Sequence, residues 1–148
     1  MRNRRTTTLL VAISLSLVMA AGCAQKPDVP GSPEDVYRRF ALANLTGSEQ
    51  AIRPLIIDHP DAAILWSEGA YPADVAEELG KHYREMKIVR IEEKFEWVLM
   101  KGSDSPIPME LRRIDGVWRF DASPIIDFRK RAAAQRGADV QSAPLKNP

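Results

Sequence analysis

The chain has 148 residues, 45% of them hydrophobic and 28% charged, with a formal net charge of +1 and one cysteine. That length suits a single domain, and a lone cysteine excludes an internal disulfide, so packing alone must hold the fold together. A nearly neutral charge offers no basic surplus to neutralise phosphates, which excludes nucleic acid as a partner class.

Residues 1–5 contain Arg2, Arg4 and Arg5 and no acid; residues 6–21 carry no charge; Ala20, Ala21 and Gly22 then precede Cys23. This is the charged, apolar and small-residue order of a secretory signal. A spanning helix needs roughly 20 apolar residues, and the apolar run at 9–21 falls short of that, so an uncleaved anchor helix is the weaker alternative. Removing the signal lowers the basic residues from 21 to 18 against 20 acids, a formal charge of −2 for the remainder. Ala20-Ala21-Gly22-Cys23 resembles the lipobox of bacterial lipoproteins, departing from it at Ala20, where leucine is preferred. The resemblance implies cleavage between Gly22 and Cys23, a diacylglyceryl group on the sulfur, and often a further palmitate-type chain on the new amino group. Ordinary secretion, with cleavage after Gly22 or Ala24, is the alternative. At about 0.8 kcal/mol per buried methylene, two or three acyl chains hold a domain firmly, so the expected partner of Cys23 is membrane lipid. Ala24, not aspartate, follows the cysteine, which implies an outer-membrane location in the cell envelope. Residues 24–31, with Pro27 and Pro30, read as a tether that reaches roughly 25 Å when extended.

Ser32-Pro33-Glu34-Asp35 combines an N-cap, a first-turn proline and acids, and predicts a helix with Val36, Tyr37, Phe40, Ala43 and Asn44 on one face and a stop at Gly47. Ser48 caps a short helix that Pro54 interrupts. Asp58-His59-Pro60-Asp61 turns into another short helix through Trp66, ended by Gly69. Residues 72–86 form a helix whose apolar stripe is Val75, Ala76, Leu79, Tyr83 and Met86. Alternation at Phe95, Trp97 and Leu99 then signals a strand, with 88–93 readable as a separate strand although no turn residue divides the two. Asp115-Gly116 is the strongest hairpin signal, because both positions tolerate positive φ. A two-residue turn pairs Leu111 with Phe120 and Arg113 with Trp118, placing Met109, Leu111, Trp118 and Phe120 on one face. It also sets Arg112 opposite Arg119 and Glu110 opposite Asp121, a like-charge conflict. Ser123-Pro124 opens a helix to about Gln135. The fold class is α+β, with N-terminal helices packed on a curved, cone-like antiparallel sheet and a C-terminal helix. The domain organisation is a signal at 1–22, lipidated cysteine and tether at 23–31, one domain at 32–136, and a disordered tail at 137–148.

The opening helix with Phe40 and Gly47, the helices before the strands, and the Asp115-Gly116-Val117-Trp118-Arg119-Phe120 hairpin together resemble the nuclear transport factor 2-like superfamily, over residues 32–123. The resemblance implies a first helix across the concave side of the sheet and a pocket inside it. Its members include isomerase- and cyclase-like enzymes and non-catalytic binders, and no shared catalytic signature maps onto this chain. The helix from Pro124 departs from the family pattern, in which the last strand ends the domain.

Candidate pocket-lining residues are Tyr37, Asn44, His82, Trp97 and Trp118. Tyr37 and Asn44 place polar groups on an apolar face, where a ligand or a neighbouring backbone group must satisfy them. His82 lies inside the stripe of its helix and titrates nearest neutrality; a satisfied boundary histidine is the plainer reading. Asp58, His59 and Asp61 read as helix-start residues, since no spacing supplies further metal ligands. The basic run Arg129-Lys130-Arg131 reads as a solvated helix face that can also touch anionic lipid. No catalytic residue, metal or cofactor is assigned. The expected function is a membrane-anchored, non-catalytic module that binds a small apolar ligand or an envelope protein. The alternatives are a small-molecule acid–base enzyme with a cone pocket and a structural envelope protein.

Overall fold

The computed structural model describes residues 28–68 and 70–142, with side chains to residue 137. The signal, Gly22 and Cys23 lie outside the described residues, as do 143–148. Among the described residues, five helices and four strands follow one another as α1 (Pro33–Thr46), α2 (Glu49–Ile52), α3 (Ile64–Ser67), α4 (Ala73–Glu85), β1 (Ile88–Lys94), β2 (Trp97–Gly102), β3 (Met109–Ile114), β4 (Val117–Phe120) and α5 (Ser123–Ser142). A 3-10 turn, Arg53–Leu55, extends α2, because Pro54 cannot continue its hydrogen-bond ladder. The fold is α+β: helices, then an antiparallel meander in the order β1-β2-β3-β4, then a C-terminal helix.

α1 begins where its residue chemistry dictates. The Ser32 hydroxyl accepts from Asp35 N, Pro33 occupies the first turn, and Gly47 closes the helix at φ 61° in the left-handed region. Its buried face is Val36, Tyr37, Phe40, Ala43 and Leu45. The sheet is one-sided. Val98, Met100, Met109, Leu111 and Phe120 point into the core, whereas β1 is exposed along nearly its whole length. Phe120 joins the layers. Its ring stacks on Phe40 with centroids 4.0 Å apart and meets Tyr37 edge-on at 5.7 Å, and its carbonyl accepts from Ile57 N at 3.0 Å. That bond, with the parallel bridge from Ile56, covers the outer edge of β4.

The β3–β4 hairpin has the register read from the sequence, Leu111 to Phe120 and Arg113 to Trp118. Asp115 and Gly116 take φ values of 51° and 79°, so the turn matches the strand twist. Arg112 does stand opposite Arg119. The conflict is relieved sideways: Arg112 donates to Glu110 on its own strand, and Arg119 donates to the Pro54 carbonyl at 3.0 Å. Asp121, beside Glu110, turns its carboxylate to accept from Ser123 N at the start of α5. β1 and β2 are separate strands joined at Phe95-Glu96. No described residue there has positive φ, which is why no glycine or asparagine marks the turn. A register shift between Arg90 and Glu92 bulges β1.

Two elements differ from their sequence-based bounds. α5 runs to Ser142, through Gly137, because nothing in its alanine-rich second half breaks the ladder. Residues 28–31, expected in the tether, fold onto the domain. Asp28 accepts from Arg38 at 2.6 Å, with both side chains about 15% exposed, and Gly31 N donates to Asp35. The same Arg38 donates to the carbonyls of Tyr83, Arg84 and Met86, satisfying the end of α4, which has no glycine stop of its own. Glu34 holds Arg90 through both carboxylate oxygens, tying α1 to β1. That hydrogen bonding lowers the Glu34 pKa from the ordinary carboxylate range, against a smaller opposing effect of burial.

At Gly102 the end of β2 packs tightly against Met86, the residue that follows α4. A Cβ there would lie 2.1 Å from the Met86 sulfur, and its N–H donates to the Tyr37 hydroxyl at 3.3 Å. Gly102→Ala is expected to lower stability by about 1–3 kcal/mol through overpacking, measured by urea unfolding. Met86→Ala in the same chain should return part of that loss, because it clears the space the new methyl needs.

Candidate functional site

A groove of about 710 Å³ opens beside α1, between α4 and α5. Its floor comes from the core side of the fold: Phe40 on α1, Met109 on β3 and Phe120 on β4. One wall is the α4 stripe, with Leu79, His82 and Tyr83; the other is the first half of α5, with Ile125, Phe128 and Arg131. Ile107, in the loop between β2 and β3, stands at the mouth. The α4 stripe is apolar at helical spacing, yet Gly80 is the only residue of α4 that is buried, and Val75 is 39% exposed. A face that the sequence pattern assigns to a core is therefore partly open, and its inner part walls the groove. Ile107 and Phe128 are 62% and 65% exposed.

Tyr37, Asn44 and His82 all line this groove. The first two have internal partners. The Tyr37 hydroxyl accepts from Gly102 N, and burial pushes its pKa above the ordinary phenol value while that N–H pulls it back in part. Burial likewise raises Tyr83. The Asn44 side-chain oxygen Oδ1 accepts from Arg129 at 3.0 Å. His82 is a rim residue, its side chain 46% exposed, with Nε2 3.8 Å from a carboxylate oxygen of Asp104, itself 67% exposed.

Trp97 and Trp118 are not on the groove. Trp97 pairs with Lys94 and Arg112, which puts it on the outer face of the sheet, its neighbours Val98 and Met100 being the inward residues. There the Lys94 ammonium lies over its ring at 5.0 Å. Trp118 shares the inner side with Phe120, but it sits at the turn end of the hairpin and packs against the core.

In the basic run on α5, Lys130 and Arg131 are exposed and Arg129 is half-buried. Arg129 donates to the carbonyls of Ile64 and Leu65 and to Asn44, joining α5 to α3 and α1. Lys130 pairs with Asp61 at 2.6 Å, and Arg131 faces the groove. Asp61 also shows why Asp58-His59-Pro60-Asp61 is structural. Its N–H donates to His59 Nδ1, and the hydrogen bond from Lys130 lowers its pKa. Among the described residues no three His, Cys, Asp or Glu side chains converge as metal ligands. A second recess of about 430 Å³ lies beside Ile56 and Asp58; Arg53 and Arg119 on its lining are engaged by Glu49 and the Pro54 carbonyl.

Compared with known proteins, the chain matches no family model, no curated sequence and no solved structure. The site therefore rests on its own geometry. Arg129→Ala is expected to cost about 2–3 kcal/mol, because it strips charge-assisted bonds from two carbonyls and a side-chain amide at once; urea unfolding measures it. Arg129→Lys should recover only part, since one ammonium lacks the fork that reaches both helices.

Proposed function

We propose that this chain is an exported lipoprotein, held in the cell envelope by acylated Cys23, whose domain is a non-catalytic module that takes a small apolar ligand in the groove beside α1. The groove carries the reading. Its volume falls within the roughly 300–1,000 Å³ of small-molecule sites, and an apolar floor with a few polar groups at the rim is their usual chemistry. Binding is favoured over proton transfer by where the titratable groups sit. His82 and Asp104 stand at the rim, about half or more exposed, where water screens the environment that tunes a general acid or base.

The anchor reading rests on the residues before Cys23 and gains a consequence from the fold. Asp28 is already bound to Arg38, so five chain steps separate Cys23 from a fixed point on the domain. At about 3.3–3.6 Å per residue these span at most roughly 18 Å, shorter than the 25 Å expected of the whole tether. The domain then rides close to the headgroups, with the α4 end that Arg38 caps nearest the anchor. Among the described residues no helix is long and apolar enough to cross a membrane. A nuclear transport factor 2-like ancestry is supported by element order and by a first helix laid on the sheet.

Mass spectrometry of the chain taken from its own envelope should show Cys23 as the acylated amino terminus; an unmodified thiol contradicts the anchor. In those membranes, decanol bearing a diazirine should label peptides containing Phe40 and Phe128 saturably, with excess decanol competing. Phe128→Asp should cut that labelling about tenfold or more, the scale expected for charge placed against an apolar ligand. Labelling that never saturates, or that avoids these peptides, contradicts the ligand reading.

A further inference from the structure

Resting on the groove as a ligand site, we propose that its ligand is a single-chain carboxylate amphiphile of the fatty-acid class, with its carboxylate on Arg131 and its alkyl chain along the floor. The basic residues of α5 carry this. Arg129 is spent on three acceptors, Lys130 on Asp61 and Arg136 on Glu68. Arg131, the one that lines the groove, has no acidic partner among the described residues. It stands about one helical turn after Phe128, so a strong cation and an exposed phenyl ring occupy the same wall at i and i+3.

The rest of the lining sorts the ligand further. Phe40, Met109 and Phe120 offer aliphatic and aromatic carbon and no hydrogen-bond donor, which suits methylene groups. Two polar groups of the lining are already occupied, Tyr37 by Gly102 and Asn44 by Arg129, so neither is left over for a polar or multiply hydroxylated ligand. The acid on the lining, Asp104, has His82 at 3.8 Å and is mostly solvated. A guanidinium is a planar fork that receives a carboxylate through two parallel hydrogen bonds. One cation beside one apolar trough therefore matches one anionic head on one chain.

Photolabelling of the full chain in its own membranes tests this, using diazirine-bearing decanoic acid beside the matching decanol. The acid should saturate the Phe128-containing peptide at about tenfold lower concentration than the alcohol, the scale of one charge-assisted contact. Arg131→Gln should remove that preference, raising the concentration at which the acid saturates about tenfold to that of the alcohol, while urea unfolding of the variant reports that the chain has folded. Equal labelling by acid and alcohol in the unaltered chain overturns the carboxylate assignment and leaves the apolar groove standing. A preference that survives Arg131→Gln overturns the role of Arg131. If neither probe labels the groove, the ligand reading and this assignment fall together.

Discussion

Two phenyl rings stacked 4.0 Å apart, Phe40 on α1 and Phe120 at the end of β4, join the helical layer to the sheet. Phe120 carries more than its ring. It pairs with Leu111 across the hairpin, its carbonyl takes the Ile57 N–H, and Tyr37 meets it edge-on. The residues that follow turn directly into α5, whose first N–H is held by Asp121. One side chain and its peptide thus touch α1, β3, the segment after the 3-10 turn, and the approach to α5. In a chain without disulfides, concentrating contacts at such a junction is how packing fixes the angle between layers.

The groove follows from that junction. Phe40 and Phe120, themselves buried, contribute to the lining of the groove between α4 and α5. Arg38 and Arg129 then set the walls. The first caps the end of α4 from α1, and the second ties α5 to α3 and to Asn44. Both are half-hidden guanidiniums bound to backbone carbonyls, where a planar fork reaches more than one acceptor. The lining of the groove is thus supported by arginines from behind, while it is itself mostly carbon.

Much of this was legible in the residues, and what was not has identifiable causes. The helix start at Ser32-Pro33, its stop at Gly47, and the Asp115-Gly116 hairpin with its register are local chemistry, and local chemistry survives folding. The α+β order followed from the same signals. The β1–β2 turn was harder, because Phe95-Glu96 needs no left-handed residue and so leaves no mark. Periodicity alone could not tell that the α4 stripe walls a groove: an apolar stripe looks the same whether a core or a trough receives it. Trp97, a pocket candidate by its sequence pattern, lies off the groove for a related reason. Strand parity says that two residues face opposite ways, but only pairing partners say which way is inward. Arg129 and Arg131, two positions apart in one basic run, have different surroundings that only the tertiary structure distinguishes, and Phe128 gave no sign of its exposure.

The dependence of the fold on the Phe40–Phe120 contact is tested most directly by a double-mutant cycle. Phe40→Leu, Phe120→Leu and the pair would be compared by urea unfolding of the full chain. A coupling energy of about 0.5–1.5 kcal/mol is predicted, the range of specific aromatic pairs beyond their burial. Losses that add to within about 0.3 kcal/mol would show two independent core residues, and the junction would no longer explain the placement of the helices or the groove between them.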